Sequence, residues 1–316
     1  MEIKLKGLLR SYGTILAGLG ILAVFCVLNP HAFMTVQNFI NITRQISLLV
    51  IISLGVTLVM AVDEFDLSVG AAASFGGLLA AKLALGGTPV PAGFLAPLVM
   101  ALGIGLLNGF LVTHFRVLSF ITTLGTSTVI SGLAYWLTNG ASISVGLPPG
   151  FKFFSAVSLG PIPLLSAIMA VLVLVFWFVM EHMAFGRRLY AIGGNQAASE
   201  AAGLKVNLNK NLAYGICSVL AAFTGILMAS RIGSATPTSG DGMLLSSYAA
   251  VFLGKTMFKN GFPNIWGTFV GAAILGILAN GLTIMRAPTF LQDVLTGSII
   301  VLAVVVPKLN KRSRLV

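Results

Sequence analysis

The sequence has few charged residues and few of the side chains that build metal or disulfide sites. Only 9% of its 316 residues are Asp, Glu, Lys or Arg, whereas a soluble domain carries about 25%. Its three histidines have no metal-ligand spacing. Its two cysteines, Cys26 and Cys217, each lie inside an apolar run, so buried packing is expected rather than a disulfide. These shortages exclude a soluble globular domain and disfavour a metalloenzyme.

Apolar residues make up 57% of the chain, and their long runs predict an all-α integral membrane protein. We interpret residues 1–316 as one transmembrane domain with about ten spans. The first run follows Lys4, Lys6 and Arg10. It is long for a signal peptide and lacks a clear cleavage site, so it is interpreted as a retained helix. The predicted spans are 12–28, 45–62, 67–85, 93–113, 118–138, 161–182, 211–230, 243–258, 264–284 and 290–307.

The basic residues indicate the orientation of these spans. With ten spans both termini lie on one side, and fourteen of the nineteen basic residues fall on that side. The positive-inside rule then places both termini and the loop 184–211 in the cytoplasm. The net charge of +11 therefore reflects orientation and does not imply nucleic-acid binding. The five basic residues on the other side are Arg44, Lys82, Lys152, Arg231 and Arg286.

Two stretches five spans apart share the same order of features. Residues 105–111 precede Arg116, and the similar residues 276–282 precede Arg286. Because an odd number of spans separates them, the two copies run in opposite directions through the membrane. We interpret spans 2–5 and 7–10 as inverted repeats, which are a transporter signature. Chance similarity between glycine-rich apolar segments is the alternative.

The segment 184–211 is the longest soluble-looking part of the chain. Within it, residues 195–203 predict a short helix that Asn195 caps and that Gly203 ends in a left-handed conformation. A helix with so little apolar surface is marginal on its own. We therefore expect it to dock into another protein.

Polar residues interrupt the apolar pattern at 62–70 and again, at the same offset, at 231–242. Interruptions at corresponding positions of two halves point to a translocation path. Asp63 and Glu64 are interpreted as residues of a cytoplasmic turn. The alternative is a functional role, because carboxylates at membrane depth are costly and tend to be functional.

Four polar residues are candidates for the translocation path. Asp66 and Ser68 precede the third span, where either can cap a helix. A role for Asp66 beside a gate is equally open. Asn108 and Asn280 lie mid-span and either hydrogen-bond between helices or face a solute.

The chain offers no catalytic or nucleotide-binding pattern. Residues 254–256 read Gly-Lys-Thr, but a phosphate-binding loop needs glycine where Ala249 stands. No paired carboxylates or nucleophile motif occurs either. We therefore expect no enzymatic activity and no cofactor in this chain. If ATP drives it, a separate subunit must bind and hydrolyse the nucleotide.

Five short motifs occur in order along the chain. Together they resemble the membrane permease subunits of bacterial ABC importers of the ribose/simple-sugar type, over nearly the whole length. One departure lies at 63–65, where Asp-Glu-Phe replaces the family's usual Gly-Gly-Ile. The motifs are Asp-Leu-Ser-Val-Gly (66–70), Tyr-Ala-Ile-Gly-Gly-Asn-Gln-Ala-Ala-Ser (190–199), Ser-Ala-Thr-Pro-Thr-Ser-Gly (234–240), Ala-Ala-Val-Phe-Leu-Gly (249–254) and Gly-Thr-Phe-Val-Gly-Ala-Ala-Ile-Leu-Gly (267–276).

The resemblance implies a ten-helix fold like that of type II importers, in the bacterial inner membrane. It implies two permease copies (a homodimer or two related chains), two cytoplasmic ATPase domains and a periplasmic binding protein that delivers a small sugar. The main alternative is an ion-coupled secondary transporter of a small polar solute, which needs intramembrane acids. Carried over by motif, coupling to the ATPase falls on Gly193, Gly194, Asn195, Glu200 and Gly203.

Overall fold

The computed structural model describes residues 2–258 and 261–312, with side chains for 13–258, 261–302 and 305. Lys259 and Arg314, two of the basic residues used for the orientation, lie outside the described residues. In the described ranges the chain forms fourteen α-helices. They are α1 (Glu2–Leu28), α2 (Pro30–Phe33), α3 (Val36–Ala61), α4 (Val69–Leu85), α5 (Val90–His114), α6 (Ser119–Thr138), α7 (Phe153–Ala156), α8 (Leu164–His182), α9 (Ala184–Gly194), α10 (Gln196–Ala201), α11 (Val206–Ile232), α12 (Asp241–Lys255), α13 (Ile265–Ile284) and α14 (Thr289–Arg312).

The connection between α6 and α8 is the most irregular part of this mainly helical fold. It contains a 3₁₀ turn at Pro149–Lys152, the short helix α7 and an antiparallel hairpin of β1 (Ser158–Leu159) and β2 (Ile162–Pro163). An isolated bridge between Ile143 and Ala235 joins it to the connection between α11 and α12.

A helix lies over each of the ten predicted spans, and the prediction of an all-α membrane protein is confirmed. By length and composition, six of the described helices can cross a membrane: α3, α5, α6, α8, α11 and α13. The apolar parts of α1, α4 and α14 are shorter. The number of ten membrane crossings therefore stays a prediction.

Helices α3 and α11 form the centre of the fold. In the most apolar 18-residue stretch of each helix, the share of residues buried inside the protein is 83% in α3 and 72% in α11. It is only 17% in α6 and 22% in α8. Helices α6 and α8 therefore present most of their apolar surface outwards, to lipid or to a partner.

Small residues allow the central helices to approach closely. Gly105 and Gly109 of α5 lie directly against the backbone of α11, where a Cβ on either glycine would overlap it. Gly267 and Gly271 of α13 lie in the same way against α12. Close backbone approach at small residues is how helices associate where lipid offers no hydrophobic drive between them.

The segment 184–211 contains more helix than the sequence predicts. The predicted short helix is α10, with Asn195 Oδ1 accepting a hydrogen bond from Ala198 N (2.9 Å) and Gly203 at φ +78°. Helix α9 was missed because its charged, glycine-rich sequence lacks a long apolar run. It is amphipathic, and it buries Leu189 and Ile192 against the fold. Helix α11 starts at Val206, five residues before the predicted span.

Candidate functional site

A non-helical segment at 62–68 separates α3 from α4 and lies among the other helices. Non-helical backbone inside a membrane protein is tolerated where the protein itself satisfies its polar groups. The N–H groups of Val62, Asp63 and Glu64 donate to carbonyl groups in the last turn of α3. The next three N–H groups donate to side chains of distant helices. Those bonds run from Phe65 N to Ser119 Oγ (3.2 Å), from Asp66 N to Tyr248 OH (2.7 Å) and from Leu67 N to Thr123 Oγ1 (3.0 Å).

Two tyrosines hold the carbonyl side of the same segment. The hydroxyl of Tyr248 in α12 accepts a hydrogen bond from Asp66 N and donates one to Asp66 O (3.1 Å). Its ring stacks on Phe65 with 5.7 Å between the ring centroids. Tyr214 of α11 donates to Phe65 O (3.1 Å). The segment is thus fixed by α6, α11 and α12 together, so its position depends on how these helices are arranged.

Three of the four predicted pathway residues form one buried network. Asp66 Oδ1 accepts from Ser68 N (2.9 Å) and from Ser68 Oγ (2.5 Å). Asn108 Nδ2 donates to Ser68 Oγ (3.1 Å), and Thr126 Oγ1 donates to Asn108 Oδ1 (2.7 Å). Asp66 thereby orders the turn before α4, while the side chain of Ser68 makes no capping bond to that helix. The network links the segment to α5 and α6.

The Asp66 carboxylate is fully buried without a cation beside it in the described part of the chain. Its Oδ2 atom has no hydrogen-bond partner there, although the thiol of Cys217 lies nearby. Acidic groups buried without a cation are costly and tend to be functional in membrane proteins, so Asp66 stays a candidate.

Asn280 is not part of this network. Its Nδ2 donates to Asn38 Oδ1 (3.0 Å), which joins α13 to the start of α3. All four pathway candidates are buried, and none of them lines the cavity around Arg44 and Arg231 or the cavity around Trp177 and Trp266.

A buried ion pair connects the segment 62–68 to the segment 184–211. Lys210 Nζ lies 2.5 Å from Glu64 Oε1, and the two side chains are only 7% and 17% exposed. Lys210 Nζ also donates to Gln196 Oε1 (2.8 Å) at the start of α10. Gln196 Nε2 in turn donates to Glu200 Oε1 (2.9 Å). One lysine therefore joins α10, the start of α11 and the turn after α3.

A second contact between these segments involves Gly193 at the end of α9. Its Cα lies against the carbonyl group of Ala61, the last residue of α3, where no side chain fits. Tyr190 OH anchors α9 on the other side by donating to Pro263 O (2.9 Å). Burial, with a smaller contribution from Glu181, raises the pKa of Tyr190 and keeps this donor protonated.

The remaining predicted coupling residues lie at the surface. Gly194, Asn195, Glu200 and Gly203 are all exposed around α10, and Ser199 is the one buried residue of that helix. The structure thus brings the five predicted residues together, with Gly193 turned inwards and the others outwards.

The sequence analysis missed Lys210, Tyr214 and Tyr248. Lys210 was counted only as an orientation signal, and Glu64 was interpreted first as a turn residue, with a functional role as the alternative. The signal that the sequence offers is an acid and a base, both near span ends, in a chain with so few charges. Nothing in the sequence indicates the tyrosine contacts, because Asp66 and Tyr248 are 182 positions apart.

Comparison with known proteins gives a consistent result. The family model described as branched-chain amino acid transport system / permease component matches residues 38–304. The ribose import permease protein RbsC of Escherichia coli strain K12 is 35% identical over 306 residues, which cover 95% of this chain and 94% of the relative. No solved structure matches the chain.

Two further relatives carry the names of other sugars. The D-allose transport system permease protein AlsC of Escherichia coli strain K12 is 33% identical over 302 residues, with 95% of this chain and 92% of the relative covered. The xylose transport system permease protein XylH of Haemophilus influenzae is 28% identical over 371 residues, with 98% and 99% covered.

Proposed function

This chain belongs to the branched-chain amino acid transport system / permease component family, and from that premise we propose that it is the membrane permease subunit of an ABC importer for a small sugar. The observation that carries the proposal is its similarity, over nearly its whole length, to permeases named for ribose, allose and xylose. A pentose or hexose is the proposed substrate class. The permease itself is proposed to be non-enzymatic.

The proposal includes the partners that such an importer needs. These are a cytoplasmic ATPase subunit, a periplasmic binding protein and a second permease copy, identical or related. The chain is a multi-pass protein of the bacterial inner membrane, with both termini proposed to be cytoplasmic on the basis of the basic residues.

The proposed transport mechanism is alternating access. The binding protein and ATP each stabilise one conformer, because a ligand shifts an equilibrium only through its different affinities for the two states. Helix α10, with its exposed surface, docks on the ATPase. Its movement reaches Glu64 through Gln196 and Lys210, and Gly193 presses on the end of α3. Both contacts act on the segment 62–68.

Inverted repeats remain part of the proposal, and the backbone supports them. Arg116 and Arg286, which correspond in the two proposed repeats, both have positive φ angles, of 53° and 55°. Left-handed backbone is uncommon outside glycine, asparagine and aspartate. In each copy the next helix begins three residues later, at Ser119 in one and at Thr289 in the other.

The four pathway candidates are proposed to form the framework of the path. Asp66, Ser68 and Asn108 hold α4, α5 and α6 to the segment 62–68, and Asn280 holds α13 to α3. In an alternating-access cycle these buried bonds define which helices move as a unit.

Reconstitution into liposomes tests the function. With the ATPase subunit inside and the binding protein outside, sugar uptake is expected only when ATP is supplied. Uptake by the permease alone, driven by a proton or sodium gradient, would instead establish the ion-coupled alternative. Thermal stabilisation of the binding protein across pentoses and hexoses identifies the sugar.

Glu200→Arg tests the contact with the ATPase. Glu200 is exposed, so the substitution is expected to leave folding intact and to reduce co-purification of the ATPase severalfold. The matched control is Asp293→Arg in α14, which should retain the ATPase. Asp293 is an exposed acid, and the predicted topology places it on the side opposite α10. Equal ATPase retention by both variants would remove α10 from the coupling surface.

A further inference from the structure

A polar cavity lies at the end of the bundle opposite Lys210. Its volume is about 290 Å³, near the lower limit of about 300 Å³ for pockets that hold drug-sized ligands. Its lining comes from α3, α7, α8, β2 and the end of α11. The lining residues are Asn41, Arg44, Phe154, Ser155, Pro163, Leu165 and Arg231.

Two arginines face this cavity without an anionic partner. Arg44 and Arg231 repel each other electrostatically, and neither forms an ion pair within the part of the chain that the structure describes. The ammonium group of Lys152 lies beside Gly233, two residues after Arg231. Three of the five basic residues on this side of the bundle therefore converge here. Guanidinium groups bind phosphate and carboxylate through paired hydrogen bonds.

The start of α8 adds to the positive potential. Leu164 N donates to Val157 O (3.1 Å), but no side chain caps the helix, so the next N–H groups of its first turn remain available. Pro163 and Leu165 bring that helix end to the cavity wall. Uncapped helix N-termini favour anions because of the helix dipole and their free N–H groups. The site therefore combines two guanidinium groups with a favourable helix end.

The depth of the cavity fits the phosphate layer of a membrane. Along α11, Arg231 lies 21 residues from Lys210, which is about 31 Å of helix. Along α3, Arg44 lies 17 residues from Ala61, about 26 Å. The hydrocarbon core of a bilayer is about 30 Å thick. With the Lys210 end at one boundary, the arginines lie at the other.

Exposed apolar side chains lie on the elements that line the cavity. Phe39 of α3, Phe153 of α7 and Ile162 of β2 are 45%, 51% and 52% exposed. At the membrane boundary, apolar surface of this kind can contact acyl chains. Together with the depth of the cavity, it favours a lipid over a soluble anion or an acidic protein surface.

We propose that Arg44 and Arg231 form a binding site for the phosphodiester group of an anionic lipid. The site lies apart from the segments 62–68 and 184–211, so it does not depend on the proposed coupling mechanism. A lipid held there would tie α3, α8 and α11 together at the end that α10 does not reach.

The test compares the protein in nanodiscs of phosphatidylglycerol and of phosphatidylcholine. At about one kcal/mol per basic residue, two arginines give about a thirty-fold preference for the anionic lipid, seen as a higher thermal midpoint. Arg44→Gln combined with Arg231→Gln should abolish this difference. The matched control Arg286→Gln, an exposed arginine on the same side outside the cavity, should keep it.

Native mass spectrometry of the unchanged protein supplies a measurement that does not depend on the folding of a variant. One retained phosphatidylglycerol, not exchanged by millimolar inorganic phosphate, supports the proposal. Equal thermal midpoints in the two lipids, or displacement of the lipid by inorganic phosphate alone, would overturn it. So would a double variant that keeps its lipid response while it loses affinity for the binding protein, because the site would then serve protein docking.

Discussion

The two ends of the central helix pair α3 and α11 differ in whether their basic side chains are paired with an acid. At one end Lys210 is buried and paired with Glu64, and it also donates a hydrogen bond to Gln196. At the other end Arg44 and Arg231 share a cavity with no acid paired to either in the described residues. The same two helices therefore carry a satisfied cation at one end and unsatisfied cations at the other.

This difference separates an internal connection from a binding site. Where a buried charge is paired within the chain, the pair fixes two segments relative to each other. Here these segments are α10 and the turn after α3. Charges that the chain leaves unpaired, in a cavity at membrane-boundary depth, are available to a ligand from outside. This difference is the basis on which we propose a mechanical role for the Lys210 end and a recognition role for the Arg44 end.

The largest effect is expected from Lys210→Met. It leaves the Glu64 carboxylate in a mostly buried position without its cation, and loss of one partner of a buried pair costs about 3 kcal/mol. Thermal unfolding in nanodiscs should show a clear drop in midpoint. Arg231→Met, at the unpaired end, should cost far less, because no acid is left uncompensated. Equal losses would erase the distinction between the two ends.

A smaller effect is expected from Gly193→Ala, which forces a Cβ against the carbonyl group of Ala61. Overpacking of this kind costs about 2 kcal/mol, and it should reduce uptake by shifting α9 away from α3. Gly132→Ala in α6 is the matched control, because nothing lies within 4 Å of its Cβ position. If both variants transport at the wild-type rate, α9 does not press on the segment 62–68.

Effects of similar or smaller size are expected from the tyrosines that hold this segment. Tyr248→Phe removes both the acceptor for Asp66 N and the donor to Asp66 O, at about 2 kcal/mol. Tyr214→Phe removes one bond to Phe65 O, at about 1 kcal/mol. Thermal midpoints of the two variants check this order. The reverse order would show that α11, rather than α12, holds the segment.

Features set by local sequence were predictable. Hydropathy placed a helix over each predicted span, and Asn195 and Gly203 marked the two ends of α10 because capping depends on neighbouring residues. Helix α9 was not predicted, because it is buried through three residues on one face rather than through a long apolar run. An amphipathic helix with low overall hydrophobicity is hard to predict from hydropathy in a chain that consists mostly of membrane spans.

The contacts of the candidate site were not predictable in the same way. Glu64 and Lys210 are 146 positions apart, and Arg44 and Arg231 are still further apart. Their pairing, or its absence, follows from the packing of α3 against α11, which no local pattern encodes. The sequence indicated that 62–68 and 184–211 matter, but not that one lysine joins them.

The central claim is that the Lys210–Glu64 pair transmits movement of α10 to the segment 62–68. The most direct measurement is ATP-driven uptake, and ATP hydrolysed per sugar transported, for Glu64→Lys, Lys210→Glu and the two substitutions combined. We predict that each single variant hydrolyses ATP with little uptake, and that the exchanged pair restores most of it. Coupled transport by both single variants, or no recovery in a folded double variant, would contradict the claim.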